Sequence, residues 1–354
     1  MSGISAKRTF FIKPCHGLLD IETPDPIRIV KTTMRGHETT IILDTNLLID
    51  IERVVQRGNK WSHVTDAGLD NLIKLLNRCP AQSICLSPGM GFSEMPPGLA
   101  EVSRKLYEEF LSVHLPSFAD APNSIRPVYV GKTSAYGYED LEEQHKILLA
   151  LSFGPLLQLL IVEYGSQEKP LIKFEKFLDR LTKKFDLLSV KEIQIARYVF
   201  ANPTSSATEI IKIRRAIRAN FVKTKAGKVP KNSIDMLQIA FNGACDISLI
   251  NTANVGDYSG VDGVRQDTWI ATTDRKLSRF CDIFHYVNLD GRTGRYGISI
   301  ETTEHACDDY WEKSAYMLEE LLLSRQASES NVDWPKYLNA IERSISEVRG
   351  LFPA

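Results

Sequence analysis

Four acidic residues stand where chemistry could be done. Asp44 directly follows the apolar run Thr39–Leu43 (TTIIL), and Asp274 follows TWIA through Thr272 and Thr273. Glu94 comes a short loop after SICL, near a helix start, and Asp235 opens the run SIDMLQIAFNGA. Ligands of open α/β sheets bind beyond the carboxyl ends of the strands, so acids just after strands face the crevice. Gathered there, four carboxylates would repel one another unless cations compensate them. An all-oxygen set free of cysteine suits Mg²⁺ or Mn²⁺ rather than zinc. The chemistry this predicts is hydrolysis by metal-activated water. Taken singly, each acid also fits an ordinary structural role. An Asp after a strand makes turns and helix caps, and Asp235 favours the dipole of its helix.

The elements that must position these acids alternate between strand and helix patterns. Residues 8–31 read as short extended segments, RTFFIK and PIRIVKT, around a turn-rich ETPDP. Strands are predicted at Thr39–Leu43, Ser83–Leu86, Pro127–Val130, Ile247–Ile250, Thr268–Ala271 and Phe284–Asn288. Helices are predicted over Leu47–Gln56, Asp66–Leu76, Ser93–Val113 and Asp235–Cys245, with an almost continuously helical block over 139–222 and a helical tail from Glu304 to Leu351. The alternation predicts an α/β fold with a mostly parallel sheet. The expected organisation is an N-terminal extension (1–38), an α/β domain in two parts (39–138 and 223–303), a helical insertion or cap (139–222) and C-terminal helices (304–354). The apolar run Ile147–Val162 is short of the roughly 20 residues of a spanning helix. Gly154-Pro155 divides it, so it reads as two buried helical pieces rather than a membrane anchor. No signal peptide is expected at the N-terminus, and the expected location is the cytoplasm.

The chain has 354 residues and a formal net charge of −1, so affinity for nucleic acid must come from a local patch. One such stretch is KIRRAIRANFVKTKAGKVPK, which ends shortly before Asp235. It carries Lys212, Arg214, Arg215, Arg218, Lys223, Lys225, Lys228 and Lys231 and no acid. Such a patch would hold phosphates by charge without reading sequence, and Phe221 is placed to stack on a base. Six spread cysteines with no Cys-x-x-Cys pair argue against a zinc ribbon and a disulfide scaffold. Val130-Gly131-Lys132-Thr133 imitates the end of a phosphate-binding loop, but the earlier glycine is replaced by Arg126. No G-x-S-x-G elbow is present, so a serine nucleophile is not expected. Helical stripes such as LLQLL and LEELLL are candidate core or dimer contacts, with a second copy or a partner protein.

Four stretches in this order resemble the motifs of PIN-domain nucleases: IILDTNLLIDI, SICLSPGMGFSEM, SIDMLQIAFNGACDISLI and TWIATTDRKLSRF. The resemblance implies a Rossmann-like sheet and a metal-dependent endonuclease holding Mg²⁺ or Mn²⁺. It assigns Asp44, Glu94, Asp235 and Asp274 to the acidic cluster, with Asn46 and Thr272 as supporting polar residues. RNA is the favoured substrate because most proteins of this appearance act on RNA. Glu101 is the alternative to Glu94, and the loop 251–267 adds Asp257, Asp262 and Asp267 as further candidates. The chain departs from the family in its length and in the long helical block between Glu94 and Asp235. A haloacid-dehalogenase-like phosphatase also begins with an Asp after a strand, but it needs a second Asp where this chain has Asn46. A PIN-like scaffold without catalysis, binding RNA or organising an assembly, is the non-enzyme alternative.

Overall fold

The computed structural model describes residues 7–14, 24–80, 83–118, 130–134, 136–202, 208–260, 263–287, 296–299, 305, 308–325 and 332–352. The chain divides into two compact units. The first comprises Met1–Tyr136, Leu249–Cys281 and Tyr286–Tyr296, and the second comprises Gly137–Ser248, Asp282–His285 and Gly297–Ala354. Residues 223–248 and the C-terminal helices thus fall in the second unit. The fold is mixed α/β, as the alternation of patterns predicts, with a small and mostly parallel sheet.

The first unit is built on four strands: β1 (Phe10–Ile12), β2 (His37–Leu43), β3 (Ile84–Ser87) and β4 (Arg265–Thr272). Their order is β1-β4-β2-β3. β2 runs parallel to both β3 and β4, and β1 is antiparallel to β4. Leu43 is level with Ala271, so β2 and β4 end together and Asp44 and Asp274 leave the sheet on the same side. The core joins Ile41 and Leu43 to Leu47, Leu48, Ile51 and Val54 of α2 (Thr45–Gln56), Phe110 of α6 (Pro97–His114) and Trp269.

Several local expectations are corrected. PIRIVKT is not extended but forms α1 (Pro26–Met34). The Asp25 carboxylate caps it by accepting the N–H groups of Ile27 and Arg28, and Pro26 opens the first turn, where its missing N–H costs nothing. The helix expected over Asp66–Leu76 is α4 (Asp70–Asn77), which starts four residues later, and a separate short helix, α3 (Trp61–Asp66), precedes it. The strand expected at Ile247–Ile250 lies inside α11 (Ser233–Ser259). A short buried apolar run does not distinguish strand from helix by periodicity, and buried Ala240, Ala244 and Ile247 sit at helical spacing. Residues 127–129 of the expected strand Pro127–Val130, and Asn288 of Phe284–Asn288, lie outside the described residues. The remainder of the latter is β5 (Phe284–Val287).

The second unit contains α7 (Glu143–Gly165), α8 (Pro170–Lys184), α9 (Val190–Phe200), α10 (Thr208–Phe221), α13 (Asp309–Arg325) and α14 (Trp334–Gly350). The run read as two pieces is one continuous helix, α7, with Pro155 inside it. A proline removes one hydrogen bond to the carbonyl four residues back. That carbonyl belongs to Leu151, and it accepts the Tyr337 hydroxyl at 3.4 Å, so the freed acceptor finds a donor on α14. Gly154 is needed for packing: a Cβ there would lie 2.7 Å from the Phe185 ring. α7 is long and apolar enough to cross a membrane by length and composition, yet 72% of its most apolar window is buried within the protein. Contacts with α8, α9 and α14 cover it as a core helix.

Away from the strand ends, the start of β4 is clamped by charge. Lys13 Nζ lies 2.7 Å from Asp267 and 2.5 Å from Asp257, and the three side chains are at most 10% exposed. Burial would raise the Asp267 carboxyl, but Lys13, Trp269 Nε1–H and Arg28 hold it below the usual carboxylate range. Replacing Lys13 with Met leaves two buried carboxylates without this cation. Urea unfolding of K13M at pH 7 is expected to show a loss of about 3–5 kcal/mol, the usual cost of breaking a buried pair from one side.

Candidate metal-binding site at the strand ends

Asp44 follows the last residue of β2 and is 1% exposed. Its backbone N–H donates to the Ala271 carbonyl at 3.0 Å, which fixes it against β4. Its carboxylate accepts the Thr272 hydroxyl at 2.5 Å and the Asn46 amide at 3.2 Å, both on Oδ2. Thr272 is fully buried, and its oxygen in turn accepts the Asp274 N–H at 2.8 Å. One hydroxyl therefore joins the two strand-end acids and sets their spacing.

The electrostatics of Asp44 are unfavourable to a bare charge. Burial raises its carboxyl above the usual carboxylate range, the Thr272 and Asn46 hydrogen bonds oppose that, and the like charge of Asp274 adds to the rise. No ammonium or guanidinium group pairs with Asp44 among the described residues. Asp274 is 16% exposed at its side chain and accepts the Lys276 N–H at 2.6 Å.

Glu94 is brought to the same end of the sheet. It follows α5 (Gly89–Ser93), and its Oε2 accepts the Thr45 hydroxyl at 2.5 Å. The approach is close because Gly91 has no side chain: a Cβ there would lie 2.8 Å from the Leu43 carbonyl oxygen and 2.6 Å from Leu48. Glu101, the alternative, is held on α6 by Arg104 at 2.6 Å. Asp44 and Asp274 are thus joined through Thr272 at the ends of β2 and β4, and Glu94 reaches the start of α2 through Thr45.

Asp235 lies in the other unit, in the first turn of α11. There its carboxylate accepts the Lys231 N–H at 2.9 Å and its own N–H donates to Asn232 Oδ1 at 2.8 Å. Asp257 and Asp267 belong to the Lys13 clamp at the opposite end of β4 from Thr272. Asp262 lies outside the described residues.

Sequence reading missed Asp50. It is 2% exposed and accepts the Thr273 hydroxyl at 2.7 Å, Lys7 Nζ at 2.5 Å and Arg53 Nη1 at 3.0 Å. It thereby anchors the turn that carries Asp274. The signal was an acid among the buried positions of α2, which also include Leu47, Leu48, Ile51, Val54 and Val55.

The basic stretch of the second unit is only partly available. Arg218 donates to the Val199 carbonyl at 2.8 Å and pairs with Glu163 at 2.6 Å. Arg214 donates to the same carbonyl, and burial, with Arg218 beside it, lowers its guanidinium to about 10. Lys212 pairs with Glu209. Arg215, Lys225, Lys228 and Lys231 are exposed and Lys223 is half-buried. Phe221 is 1% exposed, so base stacking by it is ruled out; it packs inside the helical unit against Gly243.

Among the described residues, no three His, Cys, Asp or Glu side chains are gathered as a ready-made metal cage. Two carboxylates and buried hydroxyls match a different kind of site. Mg²⁺ keeps several waters and binds through one or two carboxylates together with substrate phosphate. Asp44, with which no cation pairs among the described residues, and Asp274 beside it are the residues that would hold such an ion.

The raised Asp44 carboxyl gives a pH-dependent prediction. A carboxyl held above its ordinary value stabilises the fold fully below that ordinary value, and the contribution is lost as pH rises through the folded value. Asp44→Asn is therefore expected to raise the melting temperature of metal-free protein at pH 7.5, with the gain shrinking towards pH 4. Each 1 kcal/mol would move it by roughly 2–8 °C. Scanning calorimetry in chelator, across that pH range, checks this; a lowered melting temperature at pH 7.5 would refute it.

Comparison of the chain with protein-family models, with curated proteins and with solved structures found no match.

Proposed function

We propose that the first unit is a PIN-like, divalent-metal-dependent endonuclease domain that hydrolyses single-stranded nucleic acid, RNA before DNA. The observation that carries the reading is the pair of acids, Asp44 and Asp274, tied through Thr272 at the ends of two parallel strands with no cation on Asp44 among the described residues. In this reading Asp44 and Asp274 hold Mg²⁺ or Mn²⁺, with Glu94 beside them on Thr45. A bound divalent ion supplies an acidified water and compensates charge on the scissile phosphate. Thr272 and Asn46 orient Asp44, and the Asp50–Thr273 bond steadies the turn behind Asp274. Asp235, which the motif order would add, is proposed only on that resemblance. Arg215, Lys223, Lys225, Lys228 and Lys231 are the proposed phosphate contacts of the helical unit.

Labelled single-stranded RNA and DNA, incubated with the full chain in Mn²⁺, test the proposal. Cleavage by the wild type is expected to stop in chelator. Asp44→Asn and Asp274→Asn are expected to lower it by more than about 100-fold, since even the partners of metal ligands cost 10–100-fold. An unaffected Asp44→Asn variant, or a wild type that cuts neither substrate yet binds RNA, would instead favour the non-catalytic scaffold.

Replacing Lys225, Lys228 and Lys231 together with Gln is expected to weaken binding of RNA of any sequence. The slope of log K against log salt should become shallower by about two, at roughly 0.7 for each phosphate no longer neutralised. Fluorescence anisotropy between low and moderate salt checks this.

A further inference from the structure

Among the described residues, the cation paired with either strand-end acid is Lys276. Its backbone N–H donates to Asp274 Oδ1 at 2.6 Å, which ties the residue to the acid. Its ammonium stands 3.9 Å from Asp274 Oδ2, too far for a direct hydrogen bond, and the side chain is 39% exposed. Neighbouring residues of α12 (Arg275–Cys281) are used otherwise: Leu277, Phe280 and Cys281 are buried. Lys276 therefore has a fixed backbone and a loosely held charge, on a long stem at the rim of the site.

A lysine ammonium is a compact charge that swings on four methylenes. At 3.9 Å and partly exposed, its attraction to Asp274 is worth little, so it yields readily to a competitor of higher charge. Once released, it remains beside the site through its backbone bond, with no other acid holding it among the described residues. A positive group at that place suits the charge that develops on a phosphate during hydrolysis.

Resting on the nuclease reading, we propose that Lys276 does two things in turn: it partly compensates Asp274 while the site lacks a divalent ion, and on release it binds the phosphate undergoing hydrolysis as a catalytic residue. The two roles predict opposite responses to one substitution. Lys276→Met removes a competitor, so Mn²⁺ affinity, read by calorimetry or by electron paramagnetic resonance, is expected to become about 2- to 5-fold tighter. Single-turnover cleavage of labelled single-stranded RNA at saturating Mn²⁺ is expected to fall about 10- to 100-fold, less than the 10²–10³-fold of a fully buried donor. Lys276→Arg keeps the charge and is expected to retain most of the cleavage at an unchanged melting temperature.

Unchanged or weaker Mn²⁺ binding by Lys276→Met would overturn the first role, and cleavage at the wild-type rate would overturn the second. Equal losses in Lys276→Met and Lys276→Arg would also overturn the second, because charge would then not be the property that matters. If the wild type itself cleaves neither RNA nor DNA, the nuclease reading fails and takes the phosphate role with it. Mn²⁺ affinity then still decides whether Lys276 competes at Asp274.

Discussion

The first unit depends on a carboxylate that water does not reach. Asp44 directly follows β2 and accepts the Thr272 hydroxyl, with Asp274 as a like-charged neighbour. A buried carboxylate is costly unless it is protonated, paired or bound to a cation. The surroundings meet that cost only in part. Thr272 and Asn46 donate to Asp44, but both are neutral. What remains is an affinity for positive charge, and it is the physical basis for reading the place as a metal site.

The arrangement is sustained by threonines at three acids. Thr272 donates to Asp44, Thr45 to Glu94, and Thr273 to Asp50. Each hydroxyl fixes a carboxylate in place without itself carrying a charge. Asp50 differs from Asp44 because Lys7 and Arg53 balance it, whereas no cation pairs with Asp44 among the described residues. A balanced acid anchors structure, whereas an unbalanced one is poised for a ligand. The same distinction separates Asp257 and Asp267, clamped by Lys13 at the start of β4, from Asp44 beside its end.

Parallel register is the second requirement. Leu43 pairs with Ala271, so two strands far apart in sequence finish level. A change of one residue would turn every side chain of one strand to the other face. β4 would then present Thr272 away from Asp44, and the hydroxyl that joins the two acids would be lost. Close packing adds a constraint at Gly91, where a methyl group would collide with the end of β2 and move Glu94 outward.

Sequence alone determined the local features. The apolar runs before Asp44 and Asp274 marked two parallel strands, because burial on both faces requires unbroken apolar residues. The helical block and the basic stretch were legible from composition and period. Tertiary structure decided how these features are used. It made PIRIVKT a helix through the Asp25 cap, and it kept α7 whole by giving Leu151 a donor from Tyr337. It turned Arg214, Arg218 and Phe221 inward, although their spacing reads as a surface patch. It revealed Asp50, whose partners Lys7 and Thr273 lie far from it in sequence. It also grouped Asp235 with the helical unit while Asp44, Glu94 and Asp274 belong to the other. The physical reason is common to all of these. Residue type and spacing fix what a side chain can do, but whether a charge or a hydroxyl is spent inside the fold depends on partners that only long-range packing supplies.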